Sequence, residues 1–226
     1  MKKSFFIFVT VALSVFIALP ANAQKSKSFA GIIKFFTTVE SGSDTNARCP
    51  GKCVYTILGN KIKTFDSRGI TYIMDGNTVT MTAIYDIKGY KSGYTVSKKY
   101  FEEIQSTKRY VYEKVDETKT ICGYVCTRYN ITIYDTDEDE EVKLIVYTTT
   151  LIGENNNINA FEYPGLSGFP LYIETEYKDV KIIEKAIEIK KTKVKPSDFS
   201  VPTAYKMFSS QEEWEQYIQS VFGKNE

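Results

Sequence analysis

Past residue 28 the chain is a succession of short runs rich in β-branched and aromatic residues, separated by turn residues. That pattern predicts strands. "FAGIIKFFTTVE" (29–40) is the first, and "SGSDTNARCPG" (41–51) is loop by composition. "CVYTIL" and "KIKTF" flank Gly59-Asn60, a hairpin or bulge signal. "ITYIM" and "TVTMTAIYD" flank Asp75-Gly76-Asn77, where Asp-Gly supplies the positive φ of a type I′ turn. Residues 88–119 mix aromatics with charges without a clean period, and short strands around a turn of helix at 98–105 are expected there. "CTRYNITIYD" (126–135), "VKLIVYTTT" (142–150), "FPLYIETEY" (169–177) and "VKIIEKAIEIKKTKV" (180–194) are strand-like again, the last two an antiparallel pair turning at 177–179. Many strands at short spacing, with little helix between them, predict a mainly β fold: an antiparallel sheet that curls over itself.

The period changes near the end. In "SSQEEWEQYIQSVFG", Trp214, Tyr217, Ile218, Val221 and Phe222 follow a helical stripe. Ser210 reads as the N-cap, with Glu213 completing a capping box and Gly223 suited to the C′ position. This helix lies on the sheet or caps its concave side.

The first residues carry a third pattern. Lys2 and Lys3 precede an apolar run from Phe5 to Leu19, then Pro20 and an Ala21-Asn22-Ala23 cleavage box. The run is short for a membrane span of ~20 residues, so residues 1–23 read as a cleaved export signal and 24–226 as one mature domain. No cysteine follows the box, which argues against lipidation, and no later stretch is long and apolar enough to span a bilayer. The expected location is the periplasm or outside the cell. Losing Lys2 and Lys3 moves the formal charge from +1 to −1, which gives no electrostatic reason to bind nucleic acid.

Histidine is absent. A Ser-His-Asp triad, a Cys-His pair and a His metal ligand are thereby excluded. "DTDEDEE" (135–141) starts like a calcium loop, but Glu140 stands where Gly is needed and Val146 where a bidentate Glu is needed, so it reads as a hairpin tip. "GLSGF" (165–169) lacks the final Gly of a nucleophile elbow and is a turn into a strand. "NIT" (130–132) has the form of a glycosylation sequon but lies in a predicted strand.

All four cysteines sit in two C-x₃-C segments, Cys49/Cys53 and Cys122/Cys126. A Cys₄ zinc site and free thiols are alternatives, but export and an even count favour two structural disulfides and no metal. A fully extended segment holds its two cysteines ~13 Å apart, beyond the ~7 Å a disulfide tolerates, so local bridges need turns. Pro50-Gly51 and Gly123 permit them. All three pairings remain open. Cys126 at the start of a strand points away from Cys122, which favours pairing between the segments.

The export signal, then "GIIKF", "YTILGNKIK", "TKTICGYVCTRYNI", "GFPLYIETE" and "KVKPSDFSVPTAYKMF" occur in the order seen in a secreted family common in Bacteroidota. The chain resembles that family over nearly the whole mature length, and through it the outer-membrane lipoprotein carrier LolA and related envelope lipid-binding proteins. The sharpest residues are Ile121, Gly123, Tyr124 and Cys126, then Pro170 and Leu171, then Asp198, Phe199, Val201, Pro202 and Tyr205. Cys49, Cys53 and Cys122 depart from the family pattern. The resemblance implies an incomplete β-barrel with a concave apolar face and a C-terminal helical cap, and transfers no ligand residue. The expected function is non-enzymatic binding of an apolar small molecule or a lipoprotein acyl chain, without a cofactor. The alternative is an envelope scaffold that docks a protein partner and has a filled interior. A concavity of ~300 Å³ or more favours the ligand. A third class, a His-independent enzyme, requires carboxylates converging in one cleft.

Overall fold

The computed structural model describes residues 28–40, 51–153, 157–177 and 180–223. The expected export signal, the loop carrying Cys49 and the tip of the last predicted hairpin lie outside the described residues. The strands are β1 (Ala30–Glu40), β2 (Gly51–Leu58), β3 (Lys61–Phe65), β4 (Thr71–Asp75), β5 (Thr80–Ile87), β6 (Tyr90–Val96), β7 (Lys108–Ile121), β8 (Tyr124–Asp135), β9 (Glu140–Thr149), β10 (Phe169–Tyr177), β11 (Val180–Lys191) and β12 (Lys206–Phe208). Helix α1 (Lys98–Ser106) lies between β6 and β7, and α2 (Gln211–Phe222) follows β12.

All the strands form one sheet in the order β12-β6-β5-β4-β3-β2-β1-β11-β10-β9-β8-β7. It is two meanders, β1 to β6 and β7 to β11, sewn together where β1 pairs antiparallel with β11. Every neighbouring pair is antiparallel except β12 with β6. The sheet is curled and unclosed, and its two edges are β12 and β7. Helix α1 connects β6, beside one edge, to β7, the other, and so crosses the open seam.

Alternation sends one set of side chains into the concave face. In β1 these are Ile33, Phe35 and Thr37, all buried. The cross-strand register continues the set through Tyr55 and Ile57 on β2, Ile62 and Thr64 on β3, Tyr72 and Met74 on β4, and Met81 and Ala83 on β5. On the other half it runs through Ala186 and Glu184 on β11, Ile173 on β10 and Val146 on β9. Two bulges adjust the phase. Ile187 is an extra residue on β11 opposite Lys34/Phe35, and Leu171 is extra on β10 opposite β9. A bulge bends its strand and sharpens the twist, as the curl requires.

Two expectations are corrected. Residues 108–121 form one long strand rather than short pieces. Its pattern is obscured because Val115 to Glu117 bulge where β8 offers Arg128 alone. The Asp75-Gly76 hairpin exists, but its loop is 76–79 with Val79, not Gly76, at positive φ. Asp75 Oδ1 accepts from Asn77 N at 3.0 Å, and Gly76 N donates to Asn60 O at 2.9 Å, tying this turn to the Gly59-Asn60 turn beside it.

Helix α2 follows its predicted stripe: Trp214, Tyr217, Ile218, Val221 and Phe222 are its half-buried apolar residues. Ser210 Oγ accepts from Glu213 N at 3.2 Å, while the Glu213 carboxylate takes Ser209 N and Oγ rather than Ser210 N. Gly223 sits at φ −77°, so the helix ends without a left-handed residue. Trp214 stacks on Tyr85 at 4.3 Å and donates Nε1–H to Ser92 Oγ at 3.0 Å, which fixes α2 over the β5–β6 end of the sheet.

Candidate functional site

The concave face encloses a cavity of about 360 Å³. Its floor is the sheet: Phe35 and Tyr55, with ring centroids 4.7 Å apart, then Ile62, Met74, Met81 and Ile173. Its cover is the connection between β9 and β10, of which Ile158, Asn159, Phe161, Glu162 and Tyr163 line the space. No residue of α2 lines it.

This connection enters the concavity because its polar backbone is satisfied there. Asn159, buried in a 3₁₀ turn at Asn157–Asn159, donates its side-chain amide to Leu166 O and Gly168 O. Asn159 O in turn accepts from Tyr163 N at 2.9 Å. Gln105 of α1 donates to Ala160 O at 3.0 Å, and Tyr112 of β7 donates its hydroxyl to Pro164 O at 3.0 Å. Phe161 meets Phe101 of α1 edge-on at 5.1 Å. The seam-crossing helix and the cover therefore hold one another.

Two carboxylates lie in this apolar space, and neither was singled out from the sequence. Glu184 takes an inward position on β11, opposite Thr37 and Ile173. It accepts a hydrogen bond from Tyr55 Oη at 3.3 Å. Burial pushes its carboxyl up to about 7; nearby Glu162 adds to the rise and the Tyr55 hydroxyl partly offsets it. Glu162, on the cover, lines the cavity with its side chain exposed to solvent, and desolvation by the surrounding protein raises its carboxyl as well. Burial and the two acids hold the Tyr55 and Tyr163 hydroxyls well above the usual phenol range. At the rim, Asp66 accepts from Arg68 Nε at 2.8 Å and from Ile70 N at 3.0 Å, which orders the β3–β4 turn.

The cysteines occupy different places. Cys53 faces inward on β2 and lines the cavity. Cys122 and Gly123, at φ 49° and 83°, form the two-residue turn between β7 and β8, as a type I′ turn demands. Cys122 Sγ donates to Ala186 O and Cys126 Sγ to Tyr124 O, each at 3.4 Å. The local Cys122–Cys126 bridge is not made, and no disulfide joins Cys53, Cys122 and Cys126 to one another. Bridges to Cys49 fall outside the described residues. No cluster of His, Cys, Asp and Glu suited to a metal occurs among the described residues.

The remaining motifs are structural. Asp135 caps the acidic hairpin tip through Asp137 N at 3.1 Å, Ser167 gives its carbonyl to Thr148 Oγ1, and Asn130 on β8 donates to Glu113 at 3.0 Å. Among the described residues no helix is long and apolar enough to cross a membrane. No protein-family model and no curated protein matches the chain.

Proposed function

We propose that the protein is an exported, non-enzymatic binding protein of LolA-like type, which holds a lipid, a lipoprotein acyl chain or another apolar ligand in its half-barrel. The supporting observation is the covered cavity of about 360 Å³, walled largely by apolar and aromatic side chains. That size lies in the range of small-molecule sites. A scaffold built around a packed interior has no need of such a space. Each methylene transferred from water into it contributes about 0.8 kcal/mol, so one acyl chain supplies ample driving force.

The test is native mass spectrometry with solvent extraction of protein purified from its own cell envelope, beside a Met74→Trp variant that fills the cavity. A lipid retained by the wild type and lost from the folded variant supports the reading. Repeated absence of any bound apolar molecule overturns it and leaves the scaffold, with its envelope protein partner.

Glu162 and Glu184 favour one second reading, a hydrolase working with carboxylates alone, since an acid held near neutrality suits proton transfer. Chemically altered ligand after incubation with the protein, absent with Glu184→Gln, would establish it. Ligand recovered intact leaves the binding reading in place.

A further inference from the structure

The two acids are odd furniture for a cavity that holds only hydrocarbon. A buried carboxylate is expensive unless something compensates its charge. The Tyr55 hydroxyl bonds Glu184 at 3.3 Å, and Glu162 has no side-chain hydrogen-bond or ion-pair partner among the described residues. The lining does contain cations, Lys52 at the start of β2 and Arg68 in the β3–β4 turn. Arg68 is already engaged by Asp66, at 2.5 and 2.8 Å, and Lys52 is exposed at the rim. The acids also sit among aromatic rings: Tyr55 on the floor lies 4.7 Å from Phe35 and 6.4 Å from Phe169, and Tyr163 lines the cavity from the cover. Carboxylates and ring faces together are what attracts an ammonium group.

We propose that the cavity is selective for a cationic amphiphile, with Glu162 and Glu184 receiving a protonated amine beside the Tyr55 ring and the apolar wall receiving its tail. This rests on the ligand-binding reading above and narrows it. A fatty acid would bring a third negative charge beside two acids, of which Glu184 is already poorly solvated. A neutral alcohol would leave the acids uncompensated. Binding a cation favours the ionised form of Glu184, whose carboxyl otherwise sits near 7, so proton release accompanies binding at neutral pH. Besides Lys52, Asp66 and Arg68, the titratable groups facing the acids are Tyr55, Tyr72, Tyr163 and Cys53, with Tyr110 close enough to Glu162 to feel its charge; Tyr55 and Tyr163 stay neutral there because burial holds their hydroxyls high.

The experiment compares dodecylammonium, dodecanol and dodecanoate by calorimetry with the full mature chain, below their micellar concentrations. The expected result near pH 8 is that the ammonium binds at least about tenfold more tightly than the alcohol, with the carboxylate weakest. The preference should shrink at about pH 5.5, where Glu184 holds its proton. It should also shrink in Glu162→Gln and Glu184→Gln, checked for folding by circular dichroism. Equal binding of ammonium and alcohol, or tighter binding of the carboxylate, overturns the cationic selectivity while leaving the apolar-ligand reading intact. Binding of none of the three counts against both. The wild-type comparison decides the matter even if a variant does not fold.

Discussion

Glu184 carries a carboxyl into an apolar concavity, so its proton is coupled to folding. An ordinary Glu titrates at about 4.3 in an unfolded chain. In the fold this one titrates at about 7. Between those values the native state binds a proton that the unfolded chain has released, so stability is full below the window and falls as pH rises through it. The loss is on the order of 1–3 kcal/mol; Glu162 is raised in the same sense, but its exposure to solvent screens its share. Asp75 and Glu174 are shifted downward and act at lower pH, outside this window. Urea midpoints should therefore drop between about pH 5.5 and 8 in the wild type and drop much less in Glu184→Gln. A wild-type midpoint that rises with pH would show that Glu184 is better solvated than its position implies. The thiols differ similarly. Burial pushes Cys126 up to about 11, whereas Cys122 is exposed at a turn. In reduced, folded protein iodoacetamide should modify Cys122 well before Cys126, and peptide mapping over time reads the order. Glu184 was hidden in the sequence by the Ile187 bulge. Counting back from Ile189 through Ile187 puts Glu184 on the solvent face; the extra residue reverses the phase and turns it inward.

At the scale of elements, legibility follows how local the determining forces are. Helix α2 could be read because its cap, stripe and end lie within one short stretch. Ser210→Ala should cost about 1 kcal/mol, by removing the acceptor for Glu213 N, and thermal melts test this. Trp214→Ala removes a stack and a hydrogen bond at once, and should free α2 from the sheet at a cost of about 2–4 kcal/mol. Strand β7 was hard to read because it is an edge with mostly exposed side chains and a bulge in mid-strand. The cover over the cavity was not legible at all. Its shape depends on partners distant in sequence, Gln105 and Tyr112, and on Asn159, which looks like any loop asparagine until it is buried. Asn159→Ala leaves the Leu166 and Gly168 carbonyls without that donor, so the cover should loosen. Amide exchange in residues 157–168 should rise by more than an order of magnitude, while the β2–β3 hairpin stays protected. Equal loosening of both would mean that Asn159 supports the whole fold rather than the cover.

For the molecule as a whole, the question is why two meanders behave as one body. Each is built from pairings close in sequence, and each alone would expose its apolar face. They meet along β1 and β11, whose partners lie far apart in the chain, as Gly31 opposite Lys191 illustrates. The core crosses that junction too. Phe35 touches Tyr55 of the first meander at 4.7 Å and faces Phe169 of the second at 6.4 Å, and it is almost fully buried. Helix α1 makes a second link across the open seam, through Phe101 to Phe161. With two links and a shared aromatic floor, neither half can keep its face dry after the other leaves. Unfolding should then be a single transition. The protein supplies a convenient probe, since Trp214 is its one tryptophan and reports the β5–β6 end, while far-UV circular dichroism reports the whole sheet. The two urea curves should coincide. Phe35→Ala should shift both together by about 3–5 kcal/mol, the range for removing a buried aromatic. If the fluorescence midpoint stays in place while the dichroism midpoint falls, the first meander stands without the second, and the floor of the cavity is a junction between two separately stable halves.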